Sequence, residues 1–201
     1  MENSKSLQHL IDLFSTLPQV SKKQAKNIAL FLIKKDENHI DEFTKQIKDA
    51  KKKLHFCEQC NCLSEKNICE ICSDYKRDLN SLCIISTSED LDKIENTGAF
   101  KGTYFVLNSE LDSKKSNSFN EELLNKLDFL IKLNKPQNII FATNWTINGE
   151  YTSSVLRTYI QQKHNYKINF FRLAVGLPVN SCIDYADNFT LKYAIENKTK
   201  Y

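Results

Sequence analysis

The chain has 201 residues, 41% of them apolar and 26% charged, with a net charge of +3. That length holds one large domain or a small domain beside a medium one, and the composition excludes a wholly disordered chain. No stretch reads as a secretory leader or a membrane span, and so small a net charge says little about partners.

Leu7, Leu10, Ile11, Phe14 and Leu17 recur at helical spacing and predict an amphipathic helix over about residues 4–16, ended by Pro18. Ser21 stands where an N-cap belongs, ahead of a second helix with Ala25, Ile28, Ala29, Leu32 and Ile33 on one face. Asp36 opens a third, with Ile40, Phe43, Ile47 and Leu54 on its inner side. From Lys22 to Lys53 there are ten lysines against five acids, closing on Lys51-Lys52-Lys53. Such a run is either a solvated helix face or a phosphate-binding surface.

Cys57-x-x-Cys60 and Cys69-x-x-Cys72 come next. Two such pairs across a short loop can converge as a tetrahedral thiolate cage around one zinc ion. The other readings are a pair of disulfides or a set of buried thiols. An odd count of seven cysteines and no signal segment fit a reducing cytoplasm, which favours zinc. Cys62, inside the loop, is a competing ligand; Cys83 and Cys182 read as small hydrophobes in apolar or turn settings. A filled cage has no open position for a substrate, so this zinc is expected to be structural. Metal binding would supply the folding free energy of the segment.

Beyond Leu79 the pattern changes. Apolar runs at 82–85, 104–107, 139–142 and 168–171 alternate with helical stretches at 90–95, 121–133 and 153–163. Continuous apolar strands separated by helices predict a mainly parallel sheet covered on both faces. Sites in such sheets lie at the carboxyl ends of strands, here residues 86–90, 108–109 and 143–150. Residues 109–120 are polar and read as a mobile loop.

The order of helical hairpin, four-cysteine knuckle and parallel α/β domain resembles the bacterial recombination mediator family RecR. The hairpin carries Leu17-Pro18-x-Val20-x-x-Lys23-x-Ala25. The knuckle carries both CxxC pairs, then Ser73-Asp74 and Arg77-Asp78. The α/β part carries Leu82-Cys83-Ile84-Ile85, Asp90, Ile94-Glu95-x-Thr97-Gly98, Gly102-x-Tyr104-x-Val106-Leu107, Ala142-Thr143-Asn144-x-Thr146 and Gly149-Glu150. The end carries Arg172-Leu173-Ala174-x-Gly176-Leu177-Pro178-Val179, Asp184-Tyr185-Ala186-Asp187 and Thr190-Leu191. Any one piece is weak; together, in order, they cover essentially the whole chain.

The resemblance implies a multi-domain α/β protein: a helix-hairpin-helix domain over 1–53, a four-cysteine zinc finger over 54–78, a parallel-sheet Toprim domain over 79–174 and a C-terminal helical tail over 175–201. It implies a non-catalytic clamp that binds single- and double-stranded DNA without reading sequence. Such proteins form a homo-oligomer, a tetrameric ring, and act with RecO, in some cases with RecF, to load RecA recombinase on gapped DNA. The zinc ligands implied are Cys57, Cys60, Cys69 and Cys72. The tail contributes to contacts between protomers in the family.

The chain departs from the family in three places. Gln19 and Ser21 replace glycines beside Val20, which leaves Lys22, Lys23 and Lys26 to attract DNA phosphates. Ser86 replaces the first acid of a catalytic Toprim centre, and Thr143-Asn144-Trp145-Thr146 stands where Asp-x-Asp belongs. Glu89, Asp90 and Glu150 remain; Asp90 with Glu150 makes a sparse magnesium set, and by resemblance these acids face RecO. Asn180 and Ser181 replace a Gly-Gly pair. With four glycines and abundant Lys, Asn and Ile, the lost glycines read as drift under AT-rich codon usage. The competing classes are a magnesium-dependent Toprim nuclease or primase-like enzyme, and an interaction protein with no affinity for DNA.

Overall fold

Helix breaks and caps, more than apolar burial, set the helical segment from Ser4 to Lys53. The computed structural model describes residues 4–115 and 118–200 and separates them into two units, one ending at Leu54 and the other beginning at His55. In the first unit, α1 (Lys5–Ser15) packs against α2 (Lys22–Ile33). The N–H groups of Thr16 and Leu17 close onto the carbonyls of Leu13 and Phe14, and Pro18 has no N–H to carry the helix on. Gln19 then turns the chain at φ 63°, in the left-handed region. Ser21 and Gln24 form a reciprocal capping box, with the Gln24 N–H on Ser21 Oγ at 3.3 Å and the Ser21 N–H on Gln24 Oε1 at 2.9 Å.

Ala25 and Ala29 are fully buried, and Ile28 and Leu32 half-buried. Ile33, expected on the same stripe, is exposed; eight residues past Ala25 it has rotated about 80° off that line. The Asp36 carboxylate caps α3 (Glu37–Lys53) by accepting the His39 N–H at 2.8 Å. The three closing lysines of α3 sit at the negative end of its dipole. The expected inner side of α3 is not buried: Phe43 and Ile47 are 46% and 55% exposed.

The second unit opens with a two-stranded hairpin, β1 (His55–Phe56) against β2 (Leu63–Ser64), and a single helical turn, α4 (Glu70–Ser73). A four-stranded parallel sheet follows: β3 (Asp78–Ile85), β4 (Gly102–Val106), β5 (Asn138–Ala142) and β6 (Asn169–Arg172), in the order β4-β3-β5-β6. The crossovers are α5 (Ser88–Asn96), α6 (Glu121–Asn134) and α7 (Ile147–Lys163). All four expected strands are present. Helix α7 begins six residues earlier than its apolar pattern suggests, because Thr146 caps it by accepting the Gly149 N–H at 3.1 Å.

Strand alternation splits the core in two. Leu82, Ile84, Phe105, Ile139 and Phe141 face α6 and α7 through Leu127, Ile131, Leu156 and Ile160. Cys83, Ile85, Tyr104 and Val106 face Leu91 of α5 and the cysteines of the hairpin module. That module also seals the sheet edge. Val106 of β4 donates to the Cys60 carbonyl at 2.8 Å, and its own carbonyl accepts Asn61 Nδ2 at 2.9 Å.

The polar segment after β4 is anchored where it is described. Leu111 is buried and donates to Thr152 Oγ1 at 2.9 Å, and Ser113 donates twice to Asn148 Oδ1. Residues 116–117 of that expected mobile loop lie outside the described residues. After β6 a short 3-10 turn (Ile183–Tyr185) leads to α8 (Asn188–Glu196), whose Phe189 and Tyr193 rings meet Trp145 edge-on. Among the described residues no helix is long and apolar enough to cross a membrane.

Candidate functional site

The cysteine cluster is built by local backbone geometry. Asn61 sits at φ 60°, so the chain reverses between Cys60 and Cys62. The Cys57 N–H closes that turn on the Cys62 carbonyl at 2.8 Å. Cys69 caps α4, its sulfur accepting the Cys72 N–H at 3.4 Å, while the Cys57 sulfur accepts the Cys69 N–H at 3.3 Å. Such N–H donors stabilise thiolates. Hydrogen bonding from Cys60, and then from Cys62, Cys69 and Cys72, holds the Cys57 thiol far below its ordinary range.

The sulfurs of Cys57, Cys60, Cys62 and Cys69 all lie within 4.8 Å of one another, and those of Cys60 and Cys69 are 3.5 Å apart. Tetrahedral zinc with bonds of about 2.3 Å needs sulfurs about 3.8 Å apart. The cluster therefore fits the ion with small adjustments. Cys72 is half-buried and packs against the same cluster. Four sulfurs thus converge, and a fifth cysteine, Cys72, packs beside them. Cys83 is buried in the sheet core and Cys182 is exposed.

The second candidate is the crevice at the carboxyl ends of β3 and β5, where the strand order reverses. Ser86 is buried there and donates to Glu110 Oε1 at 2.6 Å. The same oxygen accepts the Asn144 backbone N–H at 2.9 Å and its Nδ2 at 3.0 Å. A carboxylate that sequence reasoning missed therefore bridges the two positions that an acid-bearing Toprim centre would use. Spacing gave no sign of it, because Glu110 comes from the β4 end.

The remaining acids are differently engaged. Asp90 belongs to the capping box of α5, accepting from Thr87 N at 3.1 Å and Thr87 Oγ1 at 2.8 Å. Glu150 pairs with Arg172, which also donates to Thr143 Oγ1 at 2.6 Å and the Asn144 carbonyl at 3.1 Å and lies over the Trp145 ring. Glu89 is exposed in the first turn of α5. Gly149 is required where it stands: a Cβ there would meet the Asn144 carbonyl oxygen at 2.0 Å. Lys22, Lys23 and Lys26 are exposed along the start of α2, whose first turn holds no acid. Cations oppose the dipole at that end, so helix stability does not account for them.

Three family models match the chain. The Toprim domain covers residues 80–172, the RecR four-cysteine zinc finger domain 54–74 and the RecR C-terminal region 176–199. The chain is 35% identical to recombination protein RecR of Ureaplasma urealyticum over 200 residues, all of this chain and 98% of that protein. The chain belongs to the RecR family. It is also 35% identical to the RecR of Mycoplasmopsis pulmonis over 96% of this chain and 97% of the relative, and 34% identical to that of Lactococcus lactis over 94% of each. As a RecR-type four-cysteine finger, the sulfur cluster holds one structural zinc. The four-strand parallel sheet is its Toprim domain.

Proposed function

We propose that the chain is a recombination mediator of DNA repair: a non-catalytic clamp that binds single- and double-stranded DNA without sequence preference. It acts with RecO, and with RecF where that protein takes part, to load RecA on gapped DNA in the cytoplasm. In this reading the helical domain runs over 1–53, the finger over 54–78, the Toprim domain over 79–174 and the protomer-contacting tail over 175–201. Lys22, Lys23 and Lys26 meet phosphates. Cys57, Cys60, Cys69 and Cys72 are the nominal zinc ligands. Glu89, Asp90 and Glu150 form the acidic surface offered to RecO, and copies of the chain assemble as a tetrameric ring.

One observation carries the reading. The crevice where Toprim enzymes hold magnesium is filled here by the hydrogen bonds of Ser86 and Asn144 to a single carboxylate, Glu110. Magnesium needs several oxygen ligands arranged octahedrally, and Glu150 is already committed to Arg172. The recombination role rests on the named relatives.

The test is binding of the zinc-loaded chain to single- and double-stranded DNA across a salt series, with and without RecO, beside magnesium-dependent nicking and primer-synthesis assays. Salt-sensitive, sequence-independent retention without turnover is expected. Turnover abolished by Glu150→Ala would establish a Toprim nuclease or primase-like enzyme instead. No retention at low salt, even with RecO, would leave a protein-interaction module.

A further inference from the structure

The zinc site gathers five cysteines, one more than the ion can bind, with four sulfurs mutually close and Cys72 packed beside them. Cys57, Cys60 and Cys69 are common to every arrangement, and Cys62 closes on them with all four sulfurs within 4.8 Å. Cys62 is held there by its backbone: the left-handed Asn61 and the bond from Cys57 N–H to its carbonyl turn its side chain inward, leaving it 6% exposed. Cys72 lies outside that four-sulfur set but packs against it from α4, tethered by its N–H bond to Cys69 Sγ at 3.4 Å. Beside Cys62 and Cys69 lies an open cavity of about 590 Å³, bordered by Glu65, Glu89, Asp92 and the Lys66–Glu70 ion pair. One side of the sulfur set is therefore reachable from solvent past carboxylates that attract cations.

We propose that Cys62 and Cys72 share the fourth zinc position by direct exchange, so that the ion passes between two four-thiolate sets without leaving the site. In each exchange the Zn–S bond to one cysteine breaks as the bond to the other forms. The incoming thiol gives up its proton, the released thiolate takes one up, and neither zinc nor sulfur changes oxidation state. The charge of the centre is conserved. The cysteine outside the coordination sphere at any moment is the reactive thiol of the finger.

The test uses the full chain with cobalt(II) in place of zinc, because cobalt–thiolate absorption reports the number of bound sulfurs. Cys62→Ser and Cys72→Ser are each expected to keep one metal ion and a four-thiolate spectrum. The double variant is expected to lose about a hundredfold or more in affinity, since losing even an outer-shell partner costs about 10- to 100-fold. If one single variant already matches the double and the other matches the parent, exchange is refuted and the fourth ligand is fixed. A second measurement covers variants that fail to fold. The parent cobalt form is alkylated with iodoacetamide and the modified peptides are mapped by mass spectrometry. Apart from the exposed Cys182, the label should divide between Cys62 and Cys72 while the four-thiolate bands persist. Label on Cys62 alone, on Cys72 alone, or on neither would overturn the proposal.

Discussion

The two units of this chain are stabilised in different ways. The α/β unit buries continuous strands on both sheet faces and adds a metal-bound module to one of them. The helical unit fully buries only two alanines among its described residues, and leaves Leu13, Phe31, Ile33 and Ile47 more than half exposed. Its elements are defined by Pro18, the Ser21–Gln24 box and the Asp36 cap. A two-sided packed core contrasts with a helical arm whose fold depends on local signals. Damage should therefore spread widely in one unit and stay local in the other.

The largest test removes the metal. Cys60→Ser should release zinc and unfold the module, because Cys60 is fully buried and its carbonyl also holds β4. Hydrogen exchange should then rise across residues 55–107, with α2 unchanged. Equal loss of protection in α2 would break the contrast.

Next in size is Arg77. It forks onto both oxygens of Glu95, which also accepts Tyr104 Oη at 2.6 Å, tying the end of the finger to α5 and β4. Arg77→Ala should cost about 2 kcal/mol in chemical denaturation, leaving the partly buried Glu95 carboxylate without its cation. The Arg77 hydrogen bond holds Glu95 below its ordinary range. A lowered folded value means that the stabilisation is present above the unfolded value and fades as pH falls through the folded one. The stability gap between the parent and Glu95→Gln should thus be full at neutral pH and close progressively below the ordinary value of 4.5. A gap that widens in acid would refute the assignment.

Changes in the arm should be smaller. Ser21→Ala should cost about 1 kcal/mol by removing a cap. Gln19→Gly should gain about 1 kcal/mol, because Gln19 holds φ 63° with a side chain attached. Thermal denaturation checks both. Smallest in stability is the triple change of Lys22, Lys23 and Lys26 to Ala, which should leave the melting temperature unchanged while reducing the salt slope of DNA binding by about one for each phosphate no longer neutralised. An unaltered slope would remove these lysines from the DNA surface.

Much of the architecture was legible because its signals are local. Four apolar runs gave four strands, Ser21 and Asp36 gave two caps, and paired CxxC spacing marked the metal site. What was hidden depends on chain segments meeting. Glu110 comes to Ser86 and Asn144 only when the β4, β3 and β5 ends are side by side. The closeness of Cys62 to the cluster follows from the left-handed Asn61, which no periodicity reveals. The exposure of Phe43 and Ile47 was missed because an amphipathic pattern identifies a face without saying what covers it. The scarcity of glycine also has a visible outcome: Asn61, Asn108 and Asn180 take left-handed backbone, a conformation asparagine tolerates better than most residues.

The lone tryptophan of the chain rests where Arg172, Phe189 and Tyr193 converge. That position gives the protein a native optical gauge. If the terminal helix lifts from the indole, emission should shift to the red as water replaces the rings. Any release of the tail could then be followed in real time without attaching a dye.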